Sequence, residues 1–222
     1  MGILIVGAGG HGQVVADILL QASQKGMTEA PIGYLDDDPT LHGQWRLKLP
    51  IVGAIAQRTT IPHNAVIVAI GCNTTRRRFY TELLGQGETF ATACHPSAVI
   101  APDVQIGPGS VIGAGVIVNT GSVIGVNVIL NTGATIDHHN IIADHVHLAP
   151  GVHLGGDVQI EAATLIGIGA TVMPQRRIGP QSIVGAGALV TRDLPGDSVA
   201  MGVPARVVRR HATGTQTLVS VH

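Results

Sequence analysis

The chain has 222 residues, with 13 basic and 14 acidic side chains, 30 glycines and only 2% aromatic residues. That length accommodates one large domain or two modest ones, and the near-neutral balance without a basic block excludes nucleic acid and membrane surfaces as partners. With so few aromatics, the core must be aliphatic and rely on close backbone approach.

Two cysteines, Cys72 and Cys94, have no metal-binding spacing and are expected as reduced thiols. Residues 1–6 are apolar but too short for a signal peptide, and no apolar run reaches membrane-spanning length. A soluble, cytoplasmic protein is the expectation.

Residues 2–6 read as a buried strand that runs into Gly7-Ala8-Gly9-Gly10-His11-Gly12. A helical pattern follows, with Val14, Val15, Ile18 and Leu19 on one face. Strand, glycine turn and helix are the context that a Gly-x-Gly-x-x-Gly match requires, because the glycines let a phosphate approach N–H groups at the helix N-terminus. A second strand over 32–35 ends in Asp36-Asp37-Asp38-Pro39, where an acid can bind a ribose or a base. Residues 49–53 read as an extended piece before a short helix, and Trp45, Arg46 and Lys48 as a solvated loop. A strand over 65–70, a helix over 74–84 and a strand near 90–93 complete a small parallel sheet. This is one mononucleotide-binding half, so a bound nucleotide is expected and hydride chemistry is not. His95-Pro96-Ser97-Ala98 then forms a proline-stiffened joint.

From Ile100 to Val190 every sixth residue is Ile, Val or Leu. The fourth residue after each is nearly always small or Val, and the next one is often Gly, as at Gly107, Gly113, Gly125, Gly155 and Gly179. A period of six suits neither an amphipathic helix nor a hairpin-linked sheet. It suits a β-solenoid of triangular section, with the large aliphatic inward and a small residue where the corner is tight. Three hexapeptides make a coil of 18 residues. The repeat stops after Val190, Gly202-Val203-Pro204-Ala205-Arg206 follows, and residues 212–222 are expected to fray.

Five of the eleven histidines, His138, His139, His145, His147 and His153, fall within sixteen residues. Positions 18 apart stack at about 4.8 Å, so His138 shares a column with Thr120 and Gly156. An imidazole beside bare backbone suits a general base next to an oxyanion-binding N–H. The other four occupy separate columns, so no zinc cluster is expected.

The hexapeptide run resembles the left-handed parallel β-helix of hexapeptide acyltransferases, and the handedness is what that resemblance implies. Gly-Ala-Gly-Gly-His, His-Pro-Ser-Ala, Asn-Thr-Gly-x-x-x-Asp-His from Asn131, and Gly-Val-Pro-Ala-Arg extend the likeness over residues 2 to about 210. Together they resemble the nucleotide-sugar N-acetyltransferases that make N-acetylated perosamine or bacillosamine precursors; sialic acid O-acetyltransferases share the build. The resemblance implies a small α/β Rossmann-like nucleotide-sugar domain over 1–94, an all-β left-handed β-helix acyltransferase domain over 95–211, a disordered tail over 212–222 and a homotrimer. It implies acetyl-CoA as co-substrate, no metal, and a UDP-, GDP- or dTDP-linked amino sugar as acceptor.

By the same resemblance His138 is the base, with His139 beside it in the catalytic set, and the Gly156 N–H holds the thioester oxygen. Gly9, Gly10, His11, Gly12, Asp36 and Asp37 contact the nucleotide sugar; Asn131, His147, Gly156, Gly167, Gly185 and Ala186 line the acetyl-CoA site. Two positions depart from the pattern: His139 stands where relatives carry Asp or Glu, and Gln13 where many carry Lys. The expected activity is N-acetylation by direct attack on the thioester. Its rivals are O-acetylation of sialic acid or another sugar hydroxyl, a non-catalytic nucleotide-sugar-binding trimer, and a zinc hydratase of the gamma carbonic anhydrase type. Pro102, Gly109 and Val111, standing 36 residues before His138, His145 and His147, weigh against the last.

Overall fold

In a computed structural model of the chain, residues 1–210 are described; the expected tail over 212–222 lies outside the described residues. Strand β1 (Ile3–Val6) is buried at all four positions, as a central parallel strand covered on both faces must be. It leads into helix α1 (Gly10–Gln24), which buries Val15, Ile18, Leu19 and Ala22; Val14, grouped with them by the sequence, is exposed. Strands β2 (Pro31–Leu35), β3 (Trp45–Arg46), β4 (Leu49–Gly53) and β5 (Ala65–Val68) complete a sheet of order β3-β4-β2-β1-β5. Trp45 and Arg46 are not loop: β3 pairs antiparallel with β4 across a turn at Leu47 and Lys48, both with positive φ, as a two-residue hairpin requires.

Helix α2 (Asn73–Gly85) packs on β5 and carries the chain towards the solenoid. The domain boundary expected after residue 94 falls a few residues earlier. Ala93–Cys94 (β6) pairs with Val111 and Ile112, so it already belongs to a solenoid face. The short strands then stack in three sheets of six, five and eight strands, parallel with partners 18 residues apart, as at Ile117↔Thr135, until the end of the eight-stranded sheet, where Arg206–Arg210 pairs antiparallel with Ser198–Met201. The aliphatic positions of the repeat, from Ile112 to Val190, fill one continuous buried core.

The corners divide their labour differently from the sequence expectation. Every sixth residue from Gly109 to Gly187 has positive φ, including Asn127, His139, His145, Asp157, Ala163, Gln175 and Gln181. The tight turn therefore lies three residues after each inward aliphatic. The glycines one residue after it serve close stacking instead: a Cβ on Gly107 would lie 2.6 Å from the backbone of Gly125, and one on Gly167 would lie 2.6 Å from Ala186 N.

One solenoid face docks on the first domain. Val111 and Ile129, outward on their strands, join Ile3, Ile5 and Ile18 in a common core. Arg76 on α2 is fully buried in this junction. It donates to the carbonyl oxygens of His145 at 2.8 Å, Asn127 at 3.2 Å and Ile70 and Gly71 at 3.3 Å, and to Asn73 Oδ1 at 2.9 Å. Burial lowers its pKa to about 9, which leaves it cationic at neutral pH.

Candidate active site

The glycine turn opens a cleft of about 310 Å³ at the C-terminal end of the sheet, bounded by Gly9, Gly10, His11, Asp36 and Asp37. Its glycines have three distinct roles. Gly7 turns the chain at φ 106°, Gly9 and Gly10 leave open space where a Cβ would stand, and a Cβ on Gly12 would run into the Gly7 carbonyl. That is the division a phosphate-cradling strand–turn–helix needs. Asp36 lines the cleft, but its oxygens accept from Ala8 N–H at 2.8 Å and Asp38 N–H at 3.0 Å, so it braces the glycine turn. Asp37 spends Oδ1 on Ile55 N–H at 3.0 Å and has no second partner among the described residues.

His147, expected to line the acetyl-CoA site, faces the first domain. It stands in the outward column of Val111 and Ile129 and so is carried into the domain junction, its ring centroid 6.4 Å from that of His11. Asn131 Nδ2 approaches His147 Nε2 at 3.4 Å. His145 meets Asn127 Nδ2 at 2.9 Å and Tyr80 edge-on at 5.6 Å. Burial and the Arg76 charge push His11 and His145 down to about 4 and His147 to about 3. All three are neutral at pH 7, and His11 Nε2 is buried without a partner beside the cleft.

These depressed values give a stability prediction. Below about pH 6.5 the unfolded chain binds protons that the folded rings refuse, so stability is full above that pH and drains as pH falls towards 4. Between pH 7 and pH 5 the loss should be roughly 2 kcal/mol for each of His11 and His147, and less for the more open His145. Denaturant melts across that range check it.

The second constellation is the turn after Ile136. His138 and His139 are exposed and perpendicular, with their Nδ1 atoms 3.0 Å apart. The His138 ring lies over Gly156, where an added Cβ would come within 2.5 Å of Nε2. Asp137, a candidate to replace the missing acid, is committed elsewhere. Its Oδ1 accepts from Asn119 Nδ2 at 3.1 Å and from His138 N–H at 2.9 Å, and the Asn119 bond leads in holding its carboxyl below the usual carboxylate range. The carboxylate that does approach is Asp157, one coil on in the column of His139; the sequence reading compared histidine columns only and passed over it. It also passed over Asn140, which donates to the Asp137 carbonyl at 2.6 Å and the Gly155 carbonyl at 3.0 Å, tying the His138 turn to the Gly156 turn.

The Gly156 N–H has no acceptor among the described residues. This follows from its place two residues after an inward aliphatic, where no N–H donates to a backbone carbonyl of another coil, although Val126 N–H finds Asp144 Oδ1. Prolines fill the same place at Pro102, Pro108, Pro150, Pro174 and Pro180. The Ala186 N–H, at the equivalent place, is free in the same sense. Asn131, Gly167 and Gly185 share one corner column, which donates along the coils from Asn131 to Leu148 and from Gly167 to Val184. Gly167 and Gly185 are close-packed there: an added Cβ would meet Ala186 N at 2.6 Å and Met201 Cγ at 2.9 Å.

Similarity to known proteins follows the same division. Residues 2–83 match the PglD N-terminal domain. A histidine mutant of perosamine N-acetyltransferase from Caulobacter crescentus, solved with CoA and GDP-perosamine, aligns at 37% identity over 93% of this chain and 96% of that one, with a TM-score of 0.85. The chain belongs to the hexapeptide-repeat amino-sugar N-acetyltransferase family. The acetyltransferase domain of PglB from Neisseria gonorrhoeae aligns at 33% identity over 93% and 98% of the two chains, with a TM-score of 0.85. WeeI from Acinetobacter baumannii aligns at 27% over 94% and 100%, with a TM-score of 0.81. The solenoid is thus the family's left-handed parallel β-helix. Among curated relatives, galactoside O-acetyltransferase of Lactococcus lactis is 47% identical over 51 residues; that match spans 25% of the relative's length. No helix among the described residues is long and apolar enough to cross a membrane.

Proposed function

We propose that the protein transfers an acetyl group from acetyl-CoA to the amine of a nucleotide-linked sugar. The observation that carries this reading is the packing of the His138 ring on Gly156 of the adjacent coil, whose N–H has no acceptor among the described residues. Of the two facing Nδ1 atoms only one holds a proton. With that proton on His138, Nε2 keeps its lone pair and can take the proton from the attacking amine. The C–N bond forms, the Gly156 N–H holds the charge that develops on the thioester oxygen, the C–S bond breaks, and the departing thiolate is protonated. No covalent enzyme intermediate is required. In that tautomer His139 accepts from His138 Nδ1–H, at the position where relatives would use a carboxylate.

The nucleotide belongs in the glycine cleft, with its phosphates on Gly9 and Gly10 and the free carboxylate oxygen of Asp37 turned to a base or ribose donor. Asp37→Asn should raise KM for the nucleotide sugar about tenfold while kcat changes little, which steady-state kinetics would read. CoA belongs along the column of Asn131, Gly167 and Gly185, beside Ala186. Acceptors are UDP-, GDP- or dTDP-linked amino sugars.

A trimer is proposed as the working form. Val99, Ile117, Val123 and Ile141 stand exposed on two solenoid faces, and His138 opens to solvent in the single chain. Sedimentation would report three chains, or contradict the assembly by reporting one.

Release of free CoA thiol from acetyl-CoA, measured against a panel of UDP-, GDP- and dTDP-linked amino sugars, tests the reading. One acceptor should give release that depends on its free amine. Release only with hydroxyl acceptors would transfer the assignment to O-acetylation.

A further inference from the structure

The turn after Ile136 holds an arrangement that proton transfer does not use. One donor atom from each of His138, His139 and Asp157 lies within 4.8 Å of the other two, and the two Nδ1 atoms face each other at 3.0 Å. Imidazole nitrogens at ~2.0–2.1 Å from a tetrahedral zinc ion stand about 3.3 Å apart, so the pair needs to open by only about 0.3 Å to share an ion.

The backbone presets this geometry. His139 has φ 58°, which turns adjacent side chains toward one another, and Asp157 repeats that φ of 58° one coil on. Glycines make room for both rings: a Cβ on Gly121 would lie 2.6 Å from the His139 ring, and one on Gly156 would lie 2.4 Å from the His138 ring. All three side chains are exposed, so an ion can enter from solvent and keep water in its remaining position.

We propose that His138, His139 and Asp157 form a site for a divalent transition-metal ion of the zinc type, bound by two imidazole nitrogens and one carboxylate oxygen. This donor set suits zinc or cobalt; magnesium and calcium prefer all-oxygen ligands. Occupancy opposes acetyl transfer. An ion on His138 Nδ1 leaves the ring proton on Nε2, the atom that must be free to receive the amine proton. That consequence rests on the reading of His138 as the base; the metal site itself does not.

The test is a titration of chelator-treated protein with Co²⁺, read by the visible absorption of four-coordinate cobalt and by displacement with Zn²⁺. The expected result is one ion per chain, with binding at least about tenfold weaker in His139→Asn and Asp157→Asn and unchanged in His153→Ala. Asparagine tolerates the left-handed backbone at both positions, so the variants keep the turn. No ion retained by the wild type, or variants that bind as the wild type does, would overturn the site. Saturating Zn²⁺ should also suppress acetyl transfer at least about tenfold, reversibly by chelator. Binding without loss of turnover upholds the metal site and removes His138 from the role of base.

Discussion

His138→Ala lowers turnover by roughly two to four powers of ten, the range expected when a positioned general base is lost. The expectation follows from three features of one turn. The ring lies against Gly156, whose N–H has no acceptor among the described residues. The two Nδ1 atoms share one proton, and with it on His138 the lone pair is left on Nε2. Asp137 and Asn140 clamp the turn through backbone bonds that do not involve the imidazole, so the alanine variant keeps its fold and its binding cleft. The loss should therefore fall on kcat, with KM for the nucleotide sugar close to wild type. Single-turnover kinetics at saturating acetyl-CoA would show it; near-normal turnover would remove His138 from the chemistry.

Arg76→Met destabilises the protein by about 3–5 kcal/mol, enough to lower Tm by roughly 10 °C. The side chain is a buried cation without a carboxylate partner among the described residues, satisfied by carbonyls from both domains. Removing it strands the buried carbonyl oxygen of Asn127 and the part-buried one of His145, and methionine refills the volume without supplying a donor. Arg76→Lys restores the charge but cannot span the acceptors of the fork, and should recover only part of the loss. Calorimetry of the three proteins checks the order. A methionine variant within about 2 °C of wild type would show that the junction draws its stability from the Val111 and Ile129 contacts instead.

The solenoid was legible because its cause is local: a period of six leaves one inward position per strand, and the residues at that position are the ones buried. The stacking of His138 on Gly156 was legible for the same reason, since 18 residues fix a column. The docked face was harder to read. Whether an outward position meets solvent or the other domain depends on the fold of both, so the burial of the column of Val111, Ile129 and His147 against the first domain was not read. The buried arginine was within reach: Arg76, Tyr80 and Leu83 share one helical face, but three consecutive arginines at 76–78 concealed which was inside. The bracing role of Asp36 was hidden for another reason: its two bonds to the backbone of the turn exist only in the folded chain.

The most direct test of the central claim is the chemical nature of the acetylated product. The protein is incubated with isotope-labelled acetyl-CoA and the accepting nucleotide amino sugar, and the product is analysed by mass spectrometry before and after hydroxylamine treatment. The account predicts gain of one labelled acetyl group that survives hydroxylamine, as an amide does. A label that hydroxylamine removes, or a nucleotide sugar that gains none, would contradict it.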